Sequence, residues 1–254
     1  MESPCFVAVS SFDDTLAAAI IANLEAIDGR TRAVEPAALG DLSLSLSSDT
    51  FIVDGKPVAG ILFRSFPDTS FSNGFTADDQ SFCDSEIGAT WLAALQLKSV
   101  FAVNRYAADI WFDALRWTCW RRLLVEAGIV VSEFAFGDVE TEGDHFWHSY
   151  AGITAETAPD QATRRVLGSA VTRASRKQTS LMVCGEVIAG DVQPAILDTT
   201  RLLHEAGIKI AEIETDFDGR ILRVSAYPMI TNAELLARAS KLLVAAYHAH
   251  LRNW

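Results

Sequence analysis

The opening of the chain constrains its fold most. Phe6–Ser10 is an apolar run of strand length. A segment follows with Leu16, Ile20, Ile21 and Leu24 at helical spacing, Ser11 or Asp13 as its cap and Gly29 as its stop. A second short strand pattern comes at Arg32–Val34. Strand, helix, strand in this order is the usual start of a parallel sheet with a helix packed on it, so the chain opens as α/β.

The rest extends that start. Residues 37–50 read as a loop, and FIVDGKPV at 51–58 as a hairpin turning at Asp54-Gly55. Gly60–Arg64 is a strand, Pro67–Gln80 a polar loop, Phe82–Leu97 a helix and Val100–Asn104 a strand. Ala107–Ala127 is a long helix carrying Trp111, Trp117 and Trp120, stopped by Gly128, and 129–136 is a strand. The second half reads as a helix at Asp160–Ala174, two strands about Gly185, and a helix at Gln193–Ala206. Strands at Lys209–Glu214 and Arg220–Ala226 flank an acidic turn, and Asn232–Leu251 is a closing helix. This predicts a parallel-sheet α/β domain over 1–136 and a smaller α+β domain over 137–254.

Composition excludes several classes of function. A chain of 254 residues with 50% hydrophobic content can bury a sizeable core. A net charge of −12 argues against nucleic acid, whose phosphates need a basic surface. No apolar run approaches the roughly 20 residues of a membrane span. The amino terminus has no basic region of the signal-peptide kind, so a cytoplasmic location is expected. Cys5, Cys83, Cys119 and Cys184 form no CxxC pair and read as buried free thiols.

Several stretches together resemble the ATP-grasp ligases, in particular the RimK-type glutamate ligases and the graspetide ligases that cross-link peptides. In the first half these are VSSFDD, LAAAIIANLEA, FIVDGKPVAGILFRSFP and FCDSEIGATWLAALQLKSVFAVNRYAA, followed by EAGIVV. In the second they are SLMVCGEVIAGDV and LLHEAGIKIAEIETDFDGRILRVSAYP. The resemblance implies a pre-ATP-grasp-like α/β domain and a reduced ATP-grasp-like domain. It implies that Arg64 ends a strand and that Asn104 and Arg105 precede the helix leading into the nucleotide domain. It also implies chemistry in which ATP and a carboxylate give an acyl phosphate that an amine attacks. Lysines and magnesium then stabilise the phosphoryl charge.

Against that expectation the sequence is depleted. Its five lysines are Lys56, Lys98, Lys177, Lys209 and Lys241, and none falls between 99 and 176, where the family's phosphate-binding lysines belong. Glu214 falls where the first acidic magnesium ligand would be. The Glu and Asn expected before Pro228 are replaced by Arg223 and Ser225. The interval 137–180 is short for the nucleotide-clasping hairpin and lacks a glycine cluster to cradle phosphate.

Other groupings are weaker. His145 and His148 have i, i+3 spacing but no evident third ligand beyond nearby acids. Arg164, Arg165, Arg173, Arg176 and Lys177 form a basic group, and Glu212, Glu214, Asp216 and Asp218 an acidic one; each reads first as a solvated surface. Arg64 or Arg105 at the carboxyl ends of strands is the best candidate to bind a substrate carboxylate. No Ser-His-Asp spacing, GxSxG, GxGxxG or GxxxxGK[ST] is present, so no catalytic residue is assigned. The expectation is an ATP-grasp relative without ATP or magnesium chemistry, serving as a binding, regulatory or accessory protein. A homodimer, a partner ligase and a small carboxylate are its candidate partners. The alternative is a divergent ATP-dependent carboxylate–amine ligase in which Arg173 and Arg176 replace the lysines.

Overall fold

The computed structural model describes residues 3–27, 30–65, 76–105, 113–131, 134–138, 145–149, 167–172 and 177–254. The chain opens with β1 (Cys5–Val9), α1 (Thr15–Glu25) and β2 (Thr31–Val34), and β1 pairs parallel with β2. The cap of α1 is Asp14, whose carboxylate accepts from Ala17 N at 2.9 Å, rather than Ser11 or Asp13. The stretch expected to be a loop holds a 3-10 turn at Pro36–Asp41 and β3 (Leu44–Leu46). β3 pairs antiparallel with β4 (Phe51–Val53), and β4 turns at Asp54-Gly55 into β5 (Lys56–Phe63). Both turn residues have positive φ, 49° and 77°, as the twist of a two-residue hairpin demands.

The helix α2 (Ala77–Gln96) begins earlier than its apolar spacing suggested. Thr76 and Asp79 form a capping box that starts it inside the expected loop. β6 (Phe101–Ala102) completes a sheet of order β2-β1-β5-β4-β3, with β6 paired parallel to β5. α1 and α2 cover opposite faces, so β1 is buried along its whole length.

α3 (Asp113–Glu126) leads to a three-stranded antiparallel sheet of β7 (Phe134–Asp138), β8 (His145–Ser149) and β9 (Leu167–Thr172), in order β7-β9-β8. Residues 167–172 were expected to be helical and are instead the central strand of this sheet. Val171 and Thr172 favour a strand, and pairing with both neighbours decides it. A second antiparallel sheet follows, in order β11-β10-β12-β13: β10 (Gln178–Val183), β11 (Glu186–Ala189), β12 (Ile210–Thr215) and β13 (Ile221–Ser225). α4 (Pro194–Glu205) connects β11 to β12, and α5 (Ala233–Leu251), capped by Asn232, closes the chain.

Two features lock these parts together. Gly60 on β5 has no room for a side chain, because a Cβ would lie 2.4 Å from the Phe6 ring and 2.7 Å from that of Tyr247. Tyr247 of α5 therefore packs directly on the parallel sheet at Gly60, in a T-shaped contact with Phe6 at 5.1 Å between ring centroids. The second lock is Asn104, just past β6. Its amide donates to Ile210 O at 3.1 Å and Ala226 O at 2.6 Å. Its carbonyl accepts from Lys209 N at 2.9 Å and Ile210 N at 3.0 Å. One side chain thus joins the first sheet to β12 and to the residue after β13.

Replacing Asn104 by alanine should cost about 2–4 kcal/mol, since it strands several backbone groups at a buried joint. Asn104→Asp should cost at least as much, because it sets a carboxylate against two carbonyls. Urea midpoints of both variants test this, and an unchanged midpoint for either would refute the joint. Gly60→Ala should cost about 1–3 kcal/mol through overpacking against Phe6 and Tyr247, read in the same experiment.

Candidate functional site

The carboxyl ends of β1, β5 and β6 lie along one edge of the first sheet, where open α/β sheets hold ligands. Arg64 follows β5 at this edge. Its guanidinium donates to Asp14 at 2.5 Å and to Pro228 O at 3.3 Å, and it lies over the Tyr227 ring at 5.4 Å. The side chains of Arg64 and Asp14 are only 6% and 10% exposed. Asp14 therefore does two jobs: one oxygen caps α1 and the other neutralises Arg64. A ligand carboxylate would have to displace Asp14 to reach Arg64, leaving a buried charge unpaired.

Arg105 is also turned inward. It donates to the carbonyls of Leu95, Leu97 and Val100 at 2.9, 3.0 and 3.1 Å. These are carbonyls at and just beyond the end of α2, which has no further turn to satisfy them. Burial alone lowers the Arg105 pKa from its ordinary value. Asn104 is occupied by the joint described above. Arg64, Asn104 and Arg105 are thus each engaged within the protein.

The second-half candidates share one face of the antiparallel sheet. Strand alternation sends Ile210, Glu212 and Glu214 to one side of β12 and Ala211, Ile213 and Thr215 to the other. The latter face, with Val224 of β13 and Leu203 of α4, packs into a core shared with Trp120 and Leu124 of α3. On the former face, Ile210 is covered by the first sheet and α5, while Glu212 and Glu214 reach its open end. Glu214 stands directly across from Arg223, and Glu212 across from Ser225. Lys177 pairs with Glu214 at 3.2 Å. Burial and the neighbouring Glu214 raise the Glu212 pKa, with Arg223 and Lys177 acting against them. The Ser225 hydroxyl accepts from Tyr227 N at 3.4 Å, within a turn.

Magnesium takes a nearly octahedral set of oxygen ligands. Here one carboxylate is already paired with a lysine, a guanidinium stands opposite it, and a buried hydroxyl takes the third place. Among the described residues no group of three His, Cys, Asp or Glu side chains could hold a metal. Arg164, Arg165, Arg173 and Arg176 lie outside the described residues, as do Trp111 and the side chains of Trp117, His145 and His148.

Between the sheet edge and this face lies a pocket of about 170 Å³, lined by Thr179, Leu181, Glu212, Pro228, Met229 and Asn232 among others. Pro228 supplies the carbonyl held by Arg64, so the pocket wall is fixed by the buried ion pair. Glu212 is its ionisable group and can hydrogen-bond an amide or amine. The sequence marked Glu212 only as part of an acidic cluster, and it missed Asp14 and Tyr227. The signal for Asp14 was its place immediately before TLAAAI, but Asp13 beside it is an equally good cap by type.

No family model matches the chain, and no curated protein matches it significantly. Solved structures do. The ATP-grasp ligase PsnB, complexed with minimal precursor, magnesium and ADP, superposes with a TM-score of 0.70 at 17% identity, over 97% of this chain and 98% of that one. The macrocyclase MdnC of Microcystis aeruginosa MRC, bound with precursor peptide MdnA, gives 0.64 at 11% identity, over 95% and 99%. A RimK-domain ATP-grasp protein from Sphaerobacter thermophilus gives 0.55 at 16% identity, over 96% and 98%. Agreement over nearly the whole chain shows that this protein has an ATP-grasp-like fold.

Proposed function

We propose that this ATP-grasp-fold protein does not run ordinary magnesium–ATP chemistry and instead acts as a binding, regulatory or accessory protein in a peptide-modification pathway. The observation that carries this reading is Glu214, paired with Lys177 at 3.2 Å and facing Arg223 across the ladder. A metal placed there would meet two cations and one shared carboxylate. Two unit charges about 4 Å apart repel by roughly 4 kcal/mol at a surface-like dielectric. The exposed Arg223 softens that figure but does not reverse its sign.

The peptide part of the proposal rests on similarity. PsnB and MdnC are each known in complex with a precursor peptide. A pocket with the carboxyl of Glu212 on its wall suits the amide or amine groups of a peptide better than a free carboxylate. The partner in this reading is a precursor peptide, or a catalytically competent ligase that shares it. A homodimer through the amphipathic helices belongs to the same proposal, as does a cytoplasmic location.

Calorimetric titration with ATP and magnesium tests the first half. The expected result is no binding at millimolar nucleotide. Micromolar binding would overturn the reading and favour the divergent ligase, in which alanine at Arg173 and Arg176 should then abolish binding. A second test rebuilds the metal positions. Arg223→Glu with Ser225→Asn should be destabilised without metal, since it clusters three carboxylates. It should then gain about 1.4 kcal/mol of stability at a tenfold excess of magnesium over its dissociation constant. If magnesium stabilises the unaltered protein as much, the proposed loss of the site is wrong.

A further inference from the structure

The opposite edge of the first sheet carries a larger cavity, of about 460 Å³, where β1, β2 and β5 begin. Its lining includes Ser3, Cys5, Arg30, Arg32, Val53 and Lys56. That volume lies within the range of small-molecule sites. Three cations around one cavity stand out in a chain of net charge −12. β2 and β5 flank β1, with Arg32 level with Val7 and Lys56 two residues before the Val58 that pairs with Cys5, so the two cations stand on separate strands and are offset along them. That separation suits a ligand with at least two charged groups. β1 spans five residues, so about 16 Å separates this edge from Arg64 and Asp14.

The cavity is partly pre-arranged. Arg32 is held through one guanidinium nitrogen by Asp54 at 2.6 Å, which leaves the rest of its fork to donate elsewhere. Asp54 is fixed in turn by accepting from Ser43 N at 2.7 Å, and that hydrogen bond, with Arg32, lowers its pKa. Glu25 takes the Thr31 hydroxyl at 3.2 Å, but neither acid lines the cavity. The buried Cys5 thiol forms part of the wall. Burial raises its pKa while Lys56 and Arg32 oppose that, so the fields of both cations converge there.

We propose that this cavity binds a small multivalent anion, bearing phosphate or carboxylate groups, across Arg30, Arg32 and Lys56. Guanidinium forks match both oxyanions bidentately, and the lysine adds a point charge at the far side. The site does not depend on nucleotide chemistry in the cleft and stands whether or not that chemistry survives.

The test is calorimetric titration of the whole protein at low salt with inorganic pyrophosphate and with citrate. Binding of at least one in the millimolar range or tighter is expected, and which one binds better identifies the anion class. Lys56→Glu changes an exposed side chain and should weaken binding roughly tenfold or more without moving the urea midpoint. Arg223→Gln, on the other sheet, should leave it unchanged. Absence of binding by both anions at millimolar concentration would overturn the proposal. So would full affinity in Lys56→Glu, which would place the anion elsewhere.

Discussion

The side chain of Asn104 is the interaction on which the arrangement of this molecule depends. Two sheets of different kind, one largely parallel and one antiparallel, meet here, and backbone pairing crosses the junction through a short bridge at Asn104 and Ile208, with Arg105 N donating to Gly207 O and Lys209 N to Val103 O. The part-buried groups beside that bridge need further partners. Asn104 answers with both halves of its amide, two bonds given and two received. The apolar groups around the joint form one core in which Phe6, Phe101, Ile210, Leu243 and Tyr247 take part together. The position of Pro228 relative to Arg64, and hence the pocket beside Glu212, follows from that joint.

The same accounting explains why Arg64 and Arg105 are not free. In an acidic chain, arginine near a helix or strand end has abundant internal acceptors. Arg64 meets Asp14 almost out of solvent, a pair whose disruption leaves a charge uncompensated and costs about 3–5 kcal/mol. Arg105 meets three carbonyls around the end of α2, and Arg238 donates to Ile188 O at 3.1 Å. The pairs at Arg201 and Arg122 lie on exposed helix faces and contribute a few tenths of a kcal/mol at most. Burial, not charge, separates the arginines that hold the fold from those that merely decorate it.

Much of the architecture was legible in the sequence because it is written in local signals. The strand–helix–strand opening, the Asp54-Gly55 turn, the turn at Gly185 and the closing helix capped by Asn232 each follow from a few adjacent residues. What was missed depends on partners remote in sequence. Residues 167–172 carry a pattern compatible with helix or strand, and only pairing with β7 and β8 decides it. β3 is three residues long and exists because β4 offers it a ladder. Arg64 was read correctly as the end of a strand, yet nothing near it says that its acid lies before α1 and its aromatic neighbour after β13. A site residue is thus legible as a position well before it is legible as a contact.

Alternation in β12 and β13 separates the residues that hold this sheet in place from those that its packing leaves free to vary. Ala211, Ile213 and Val224 point into the core, and a cavity or a polar group there would cost several kcal/mol. Glu212, Glu214 and Arg223 point the other way, toward the open end of the sheet. Exchanging a carboxylate for a guanidinium at 223 creates no void, buries no charge and even gains a cross-strand attraction to Glu214. The fold therefore places no packing demand on which polar residues stand on this face.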